Sequence, residues 1–209
     1  MHAIENATFS IPSGAFVLIV GPSGSDKSTL LNLISGIDRP TSGSLIVRGQ
    51  NLSDLTEAEL DIFRGNRISF VFQFNNLLPN LNAIENVALP LVAQGMRWKA
   101  AHAQAFEDLK SLDLSQRAAQ RLFERSEGKQ ERGAPVRVVT TRPAVVLVDK
   151  PTSDLDASSR RALIELIAAL NDASGVTFLT ASREIELPTR ATQSIQLPNG
   201  RISSLAGAA

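Results

Sequence analysis

The most specific chemistry in this sequence lies in nine consecutive residues, Gly21-Pro22-Ser23-Gly24-Ser25-Asp26-Lys27-Ser28-Thr29. They follow the apolar run Phe16 to Val20 and open a helical pattern. Gly21, Lys27 and Ser28 fit the phosphate-loop spacing G-x-x-x-x-G-K-[ST], and Asp26 stands where that pattern has its second glycine. Backbone N–H groups of Gly24 to Ser28 at a helix start can wrap a phosphate. The Lys27 ammonium can reach β- and γ-phosphates, and the Ser28 hydroxyl suits magnesium. Ser23, Gly24, Ser25 and Thr29 complete the candidate nucleotide-binding set. Asp26 works against it. A carboxylate about 4 Å from a phosphate at an effective dielectric of about 20 is repelled by roughly 4 kcal/mol. It lies near the phosphates, turns outward, or pairs with Lys27.

These residues need a strand before them and a helix after them, and the chain supplies both in an α/β rhythm. Candidate strands are 7–11, 16–20, 45–47, 68–72, 145–148, 176–180 and 194–197. FVLIV and AVVLV are continuous apolar runs, as in parallel strands buried on both faces. Ser28 to Ser35 reads as a helix stopped by Gly36. Thr56 and Glu59 form a capping-box pattern for a helix to about Arg64. Leu163, Ile167 and Leu170 mark one face of a helix from about Ser158 to Asn171. Asn82 to Leu122 reads as helices, a block interrupting the α/β pattern. Pro198-Asn199-Gly200 is a turn between two short terminal strands.

Composition narrows the classes. At 209 residues the chain is one domain, and a chain of this size buries about 70% of its unfolded surface. Lys plus Arg and Asp plus Glu both number 21, so no global basic field exists to hold nucleic acid. Cysteine is absent, which excludes disulfide scaffolds, zinc fingers and thiol catalysis. His2 and His102 are too far apart for a His pair at metal spacing. No apolar run approaches the ~20 residues that span a bilayer. No signal-peptide pattern opens the chain. We therefore expect a cytoplasmic protein that meets a membrane only through a partner.

From Gly21 through Gly49, the run GPSGSDKSTLLNLISGIDRPTSGSLIVRG resembles the nucleotide-binding subunit of ATP-binding-cassette (ABC) transporters. The run FVFQFNNLLPNLNAIENVALPL, from Phe70, is similar to the lipoprotein-release and macrolide-export branch. The resemblance spans Ala7 to about Ile202, with motifs in the family's order. It implies a phosphate-loop ABC fold: a mostly parallel core sheet, an antiparallel β part, and a helical subdomain at about 75–142 within one domain, 1–209. It implies ATP and Mg2+ as ligands, transmembrane permease subunits and a second ABC subunit as partners, and a place on the inner face of the cell membrane. Gln73 corresponds to the Q-loop glutamine, which senses magnesium and the transmembrane partner. Asp149 corresponds to the Walker B aspartate, so Ser28, Gln73 and Asp149 form the implied metal set. Ser153 to Asp156 correspond to the D-loop, with Asp156 its last acid.

Departures from the family pattern gather on the reaction path. Lys150 stands at the catalytic glutamate position, and a charged ammonium cannot accept a proton from the attacking water. The family's switch histidine should follow the strand VTFLT, but that segment reads Thr180-Ala181-Ser182, and neither His2 nor His102 is near it. Arg125-Ser126-Glu127-Gly128-Lys129 replaces the signature LSGGQ: Ser126 and Gly128 survive, while Glu127 adds a negative charge. Gly133 and Pro135 fall where the next helix should run. The family's earlier strand and adenine-stacking aromatic have no counterpart, and Tyr is absent.

The expected function is an ATP-binding ABC transporter subunit with hydrolysis impaired or lost, and no catalytic set intact. A fully active transporter ATPase is the alternative, and a docking or regulatory partner that binds no nucleotide, or a gene relic, the second. A different phosphate-loop enzyme, such as a small-molecule kinase, fails on motif order. Trp98 is expected to be partly buried on the helical block. Arg64, Arg67, Arg97 and Lys99 are expected to be solvated surface.

Overall fold

The structure, a computed structural model, describes residues 3–71, 78, 80–111, 137, 140–149, 157–182 and 191–207. Its centre is β1 (Phe16–Val20), five consecutive buried residues. A strand buried on both faces needs covering layers above and below, and parallel neighbours joined through helices provide them. β1 pairs in parallel with β6 (Thr177–Ser182) on one side and with β7 (Gln193–Gln196) on the other. β5 (Val145–Asp149) lies beyond β6, and β4 (Ile68–Val71) beyond β5, all parallel. β8 (Ser204–Gly207) returns antiparallel to β7 through the expected turn. Among the described residues the sheet order is β4-β5-β6-β1-β7-β8.

Alternating residues divide the core into two layers. Val17, Ile19, Leu147, Leu179, Ala181 and Ile195 pack with Leu30, Leu31 and Ile34 of α1 (Lys27–Ser35). Phe16, Leu18, Val146, Val148 and Phe178 pack with Ile167, Ala168 and Leu170 of α5 (Ala157–Ser174). The α1 layer also takes Leu60 of α2 (Glu57–Arg67) and Val47 of a small antiparallel hairpin, β2 (Ile46–Val47) with β3 (Gln50–Asn51). Arg48 and Gly49 turn that hairpin with φ of 53° and 80°, the two positive values that a two-residue type I′ turn requires. A third apolar cluster joins α3 (Ala83–Ala93) to α4 (Trp98–Ser111) through Ile84, Val87, Leu91, Ala101, Ala105 and Leu109. This is the expected helical block, with its own core.

Local chemistry sets the helix ends. Gly36 closes α1 at φ 72°, with Gly36 N–H donating to Leu33 O and Ile37 N–H to Asn32 O, the paired bonds of a Schellman motif. The capping box of α2 is present: Thr56 N–H donates to Glu59 Oε2, and Glu59 N–H donates to Thr56 Oγ1. The bonds from the Thr56 backbone and hydroxyl hold the Glu59 carboxyl below its ordinary range. An equivalent box, Asn82 with Glu85, starts α3.

Several expectations require correction. Residues 7–11 form no strand. Their apolar residues do alternate inward, Phe9 and Ile11 packing on the α1-side core, but no described strand ladders with them. Alternation reports burial of one face; a strand also needs a backbone partner. Trp98 is exposed at 45%, its ring tilted against His102 at 6.5 Å, because α4 buries its small residues Ala101 and Ala105 instead. Arg64 is not simply solvated: it donates to Gly36 O at 2.7 Å and pairs with Asp61, so it ties α2 to the end of α1.

Candidate functional site

Parallel strands bring their carboxyl ends to one edge, where ligands of open α/β sheets bind. Ile19 of β1, Ala181 of β6 and Asp149 of β5 stand level in register, and Val20 is level with Ser182. Two strand spacings, about 10 Å, separate the β1 and β5 backbones. By the alternation of the strands, Asp149 follows Val145 and Leu147 on the face covered by α1. The sequence therefore places the loop after β1 and the acid that ends β5 on the same edge and the same face.

The loop is tightly specified. A Cβ on Gly21 would come within 2.5 Å of Leu197 O and of Ser25 Oγ, so no other residue fits. Gly24 takes φ 77°. Lys27 is 3% exposed, and its Nζ donates to Gly21 O at 2.8 Å, Pro22 O at 2.7 Å and Ser25 Oγ at 3.1 Å. An ammonium has three protons, and three acceptors of the loop itself lie within bonding distance of it. Ser25 is buried, Ser28 and Thr29 are half-buried, and Ser23 and Gly24 are exposed. The Leu30 N–H bonds Asp26 O, which leaves the N–H groups of Ser28 and Thr29 without intrahelical acceptors at the positive end of α1.

Asp26 occupies the N-cap of α1 with φ 62° and ψ 26°, the left-handed region, and its side chain caps nothing. An ordinary aspartate N-cap is extended and accepts from the second or third helical N–H. The left-handed backbone here follows the course that the missing glycine would take, and the carboxylate accepts no bond from the helix amides. Among the described residues that carboxylate makes no hydrogen bond and no ion pair. Of the three dispositions open from the sequence, pairing with Lys27 is the one the geometry does not show.

At the neighbouring strand tip, Asp149 Oδ1 is buried without a hydrogen-bond partner. Such an oxygen calls for a cation or a donor that the protein itself does not provide. With the Ser28 hydroxyl on the adjacent helix, its chemistry suits a hard divalent ion with oxygen ligands. Among the described residues no cluster of three or more His, Cys, Asp or Glu could hold a metal unaided. Ala181, level with Asp149, is fully buried and offers no polar group.

Of the residues singled out from the sequence, Gly21, Ser23, Gly24, Ser25, Lys27, Ser28 and Thr29 therefore share one loop, with Asp149 on the same face. Gln73, Ser126, Gly128, Lys150 and Asp156 lie outside the described residues, as do Glu127, Gly133 and Pro135. Sequence reasoning missed Asn86, which is 1% exposed. Its Oδ1 accepts from Leu78 N–H, and its Nδ2 donates to Leu78 O, Leu81 O and Asn82 O, anchoring the chain as it enters α3. The available signal was an asparagine amid the apolar positions Ile84, Val87, Ala88 and Leu91.

Comparison with known proteins agrees with this geometry. Residues 4–153 match the family described as ABC transporter. Two structures of the ATP-binding cassette MJ0796, one a dimer in a post-hydrolysis state with ADP and Pi and the other a dimer, are each 34% identical. Each match covers 99% of this chain and 91% of that one, with TM-scores of 0.83 and 0.84. The fold also matches cbiO1 from Clostridium perfringens, part of the ABC transporter complex cbiONQ, at 22% identity and TM-score 0.89 over 99% of this chain and 82% of that one. A phosphate loop on the central strand, a facing strand-end acid, a separate helical block and a family match over most of the chain lead to one assignment: the protein belongs to the ABC transporter family and is an ATP-binding domain of that family.

Proposed function

We propose that this chain is the ATP-binding subunit of a membrane transporter of the lipoprotein-release or macrolide-export branch, with ATP hydrolysis impaired or lost. It acts as a single domain, pairs with a second cassette as MJ0796 does, and docks on permease subunits at the cytoplasmic face of the membrane. Among the described residues no helix is long and apolar enough to cross a membrane. The observation that carries the binding half is the loop Gly21 to Thr29, with uncapped amides at Ser28 and Thr29, on the same sheet edge as an unpartnered Asp149 oxygen. Ser28 and Asp149 would hold magnesium, with Gln73 in support by resemblance; the ion would offset phosphate charge. Lys27 would exchange one of its loop bonds for a phosphate oxygen.

Lys150 and the lack of a histidine in Thr180-Ala181-Ser182 carry the hydrolysis half. An ammonium replaces the carboxylate that should orient water, and no imidazole stands where the family's switch histidine should follow the strand. Glu127 and Pro135 support the same reading from the signature side. A second reading, a docking or regulatory partner without nucleotide, draws on the Asp26 charge beside the loop. Magnesium–ATP calorimetry run alongside phosphate release separates them. We expect binding with turnover at background. Turnover of about 1 s⁻¹ or more that disappears in Lys27→Ala would establish an active ATPase, and no binding heat would favour the docking partner. Lys150→Glu protein alone should stay inactive, because the signature defect persists.

A further inference from the structure

The phosphate-loop pattern G-x-x-x-x-G-K-[ST] has a glycine directly before its lysine ammonium. Here Asp26 (−1) and Lys27 (+1) are adjacent, so the formal charge of Gly21 to Thr29 is zero. Lys27 is buried and engaged by Gly21 O, Pro22 O and Ser25 Oγ, whereas the Asp26 carboxylate has no partner among the described residues. Asp26 is the N-cap residue of α1, yet its carboxylate makes no cap bond, so the charge stands directly before the helix start while the amides of Ser28 and Thr29 are not self-capped. Directional chemistry for phosphate is thus intact, but the loop has no net charge to attract it. A polyphosphate has to bring its own counter-charge, and an unpartnered Asp149 oxygen waits on the same sheet edge for a cation.

We propose that Asp26 is a specificity-determining residue that makes this loop admit a nucleoside polyphosphate only as its divalent-cation complex. This rests on the nucleotide-binding reading above. The cation does two jobs at once: it neutralises phosphate charge that Asp26 would otherwise repel, and it engages the Asp149 oxygen. Free polyphosphate, with its full negative charge next to the Asp26 carboxylate, is rejected. Repulsion between charges a few ångströms apart at a protein surface is large enough to change affinity by orders of magnitude.

The test is calorimetric titration of ATP into the full chain, once with excess magnesium and once with EDTA, for the parent, Asp26→Asn and Asp26→Gly. Asparagine tolerates the left-handed backbone and removes only the charge; glycine provides a second variant should the first not fold. We expect the ratio of Kd in EDTA to Kd in magnesium to fall at least about tenfold in Asp26→Asn, chiefly because binding in EDTA tightens. An unchanged ratio, with measurable binding in every protein, overturns the proposal and leaves the nucleotide reading standing. Absence of binding by all three proteins in both media overturns the nucleotide reading, and the proposal with it.

Discussion

The phosphate loop and the tips of β5 and β6 meet at the same edge of the sheet, yet their polar groups are handled in opposite ways. In the loop, acceptors from Gly21, Pro22 and Ser25 engage Lys27, and Ser25 itself is buried and bonded. At the strand tips, Asp149 Oδ1 and Thr180 Oγ1 are both buried with no partner. A loop that satisfies itself is preorganised: it holds one shape before any ligand arrives. Strand tips with orphaned oxygens give up stability in the ligand-free state. The two orphans also differ from each other. Asp149 faces α1 and the loop, while Thr180 shares the other face of the sheet with Val148 and Phe178. Only the first is placed to recover its cost through a ligand.

The largest effect should come from breaking the self-satisfied side. Lys27→Ala removes the loop's only cation, and magnesium–ATP affinity should fall at least about 100-fold, roughly 3 kcal/mol, by calorimetry. A change of less than threefold would mean that the loop contributes shape alone. Asp149→Ala tests the orphaned side and should act in two directions. Magnesium–ATP should bind about tenfold to 100-fold more weakly, while the ligand-free protein gains about 1 kcal/mol by losing an unpartnered buried oxygen. That gain is a rise of roughly 2–4 °C in Tm for a chain of this size. Loss of stability in the ligand-free variant would show that Asp149 is structural. The smallest effect is reserved for Thr180→Val, a near-isosteric change that deletes the other orphan. It should raise stability by up to about 1 kcal/mol and leave the ATP dissociation constant unchanged, because the side chain lies on the far face of the sheet. A shift in affinity here would break the distinction between the two orphans.

Much of this division was legible in the residues, and the exceptions are instructive. FVLIV and AVVLV declared themselves as doubly buried strands, and the Thr56–Glu59 box and Gly36 marked helix ends, because each signal is local. Residues 7–11 carry the same alternation but no ladder, since pairing depends on distant partners that a window of five residues does not contain. The loop motif announced phosphate chemistry. The left-handed turn of Asp26 and its unused cap were not legible, because aspartate is a common N-cap and its usual extended form would have blocked the amides. Asn86 was missed because a single polar residue within an apolar helix reads as surface, whereas its four bonds appear only once Leu78 and Leu81 fold over it.

The central position of β1 has a consequence during synthesis. Its two neighbours, β6 and β7, are encoded about 160 and 175 residues later. At ribosomal rates of about 5–20 residues per second, FVLIV emerges and then waits for roughly 8–30 s before either flanking strand exists. Throughout that interval an apolar, β-branched pentapeptide has both hydrogen-bonding edges open, the condition under which chains cross-pair with one another. The strand that carries the phosphate loop is therefore the segment most dependent on being shielded while the ribosome completes the chain.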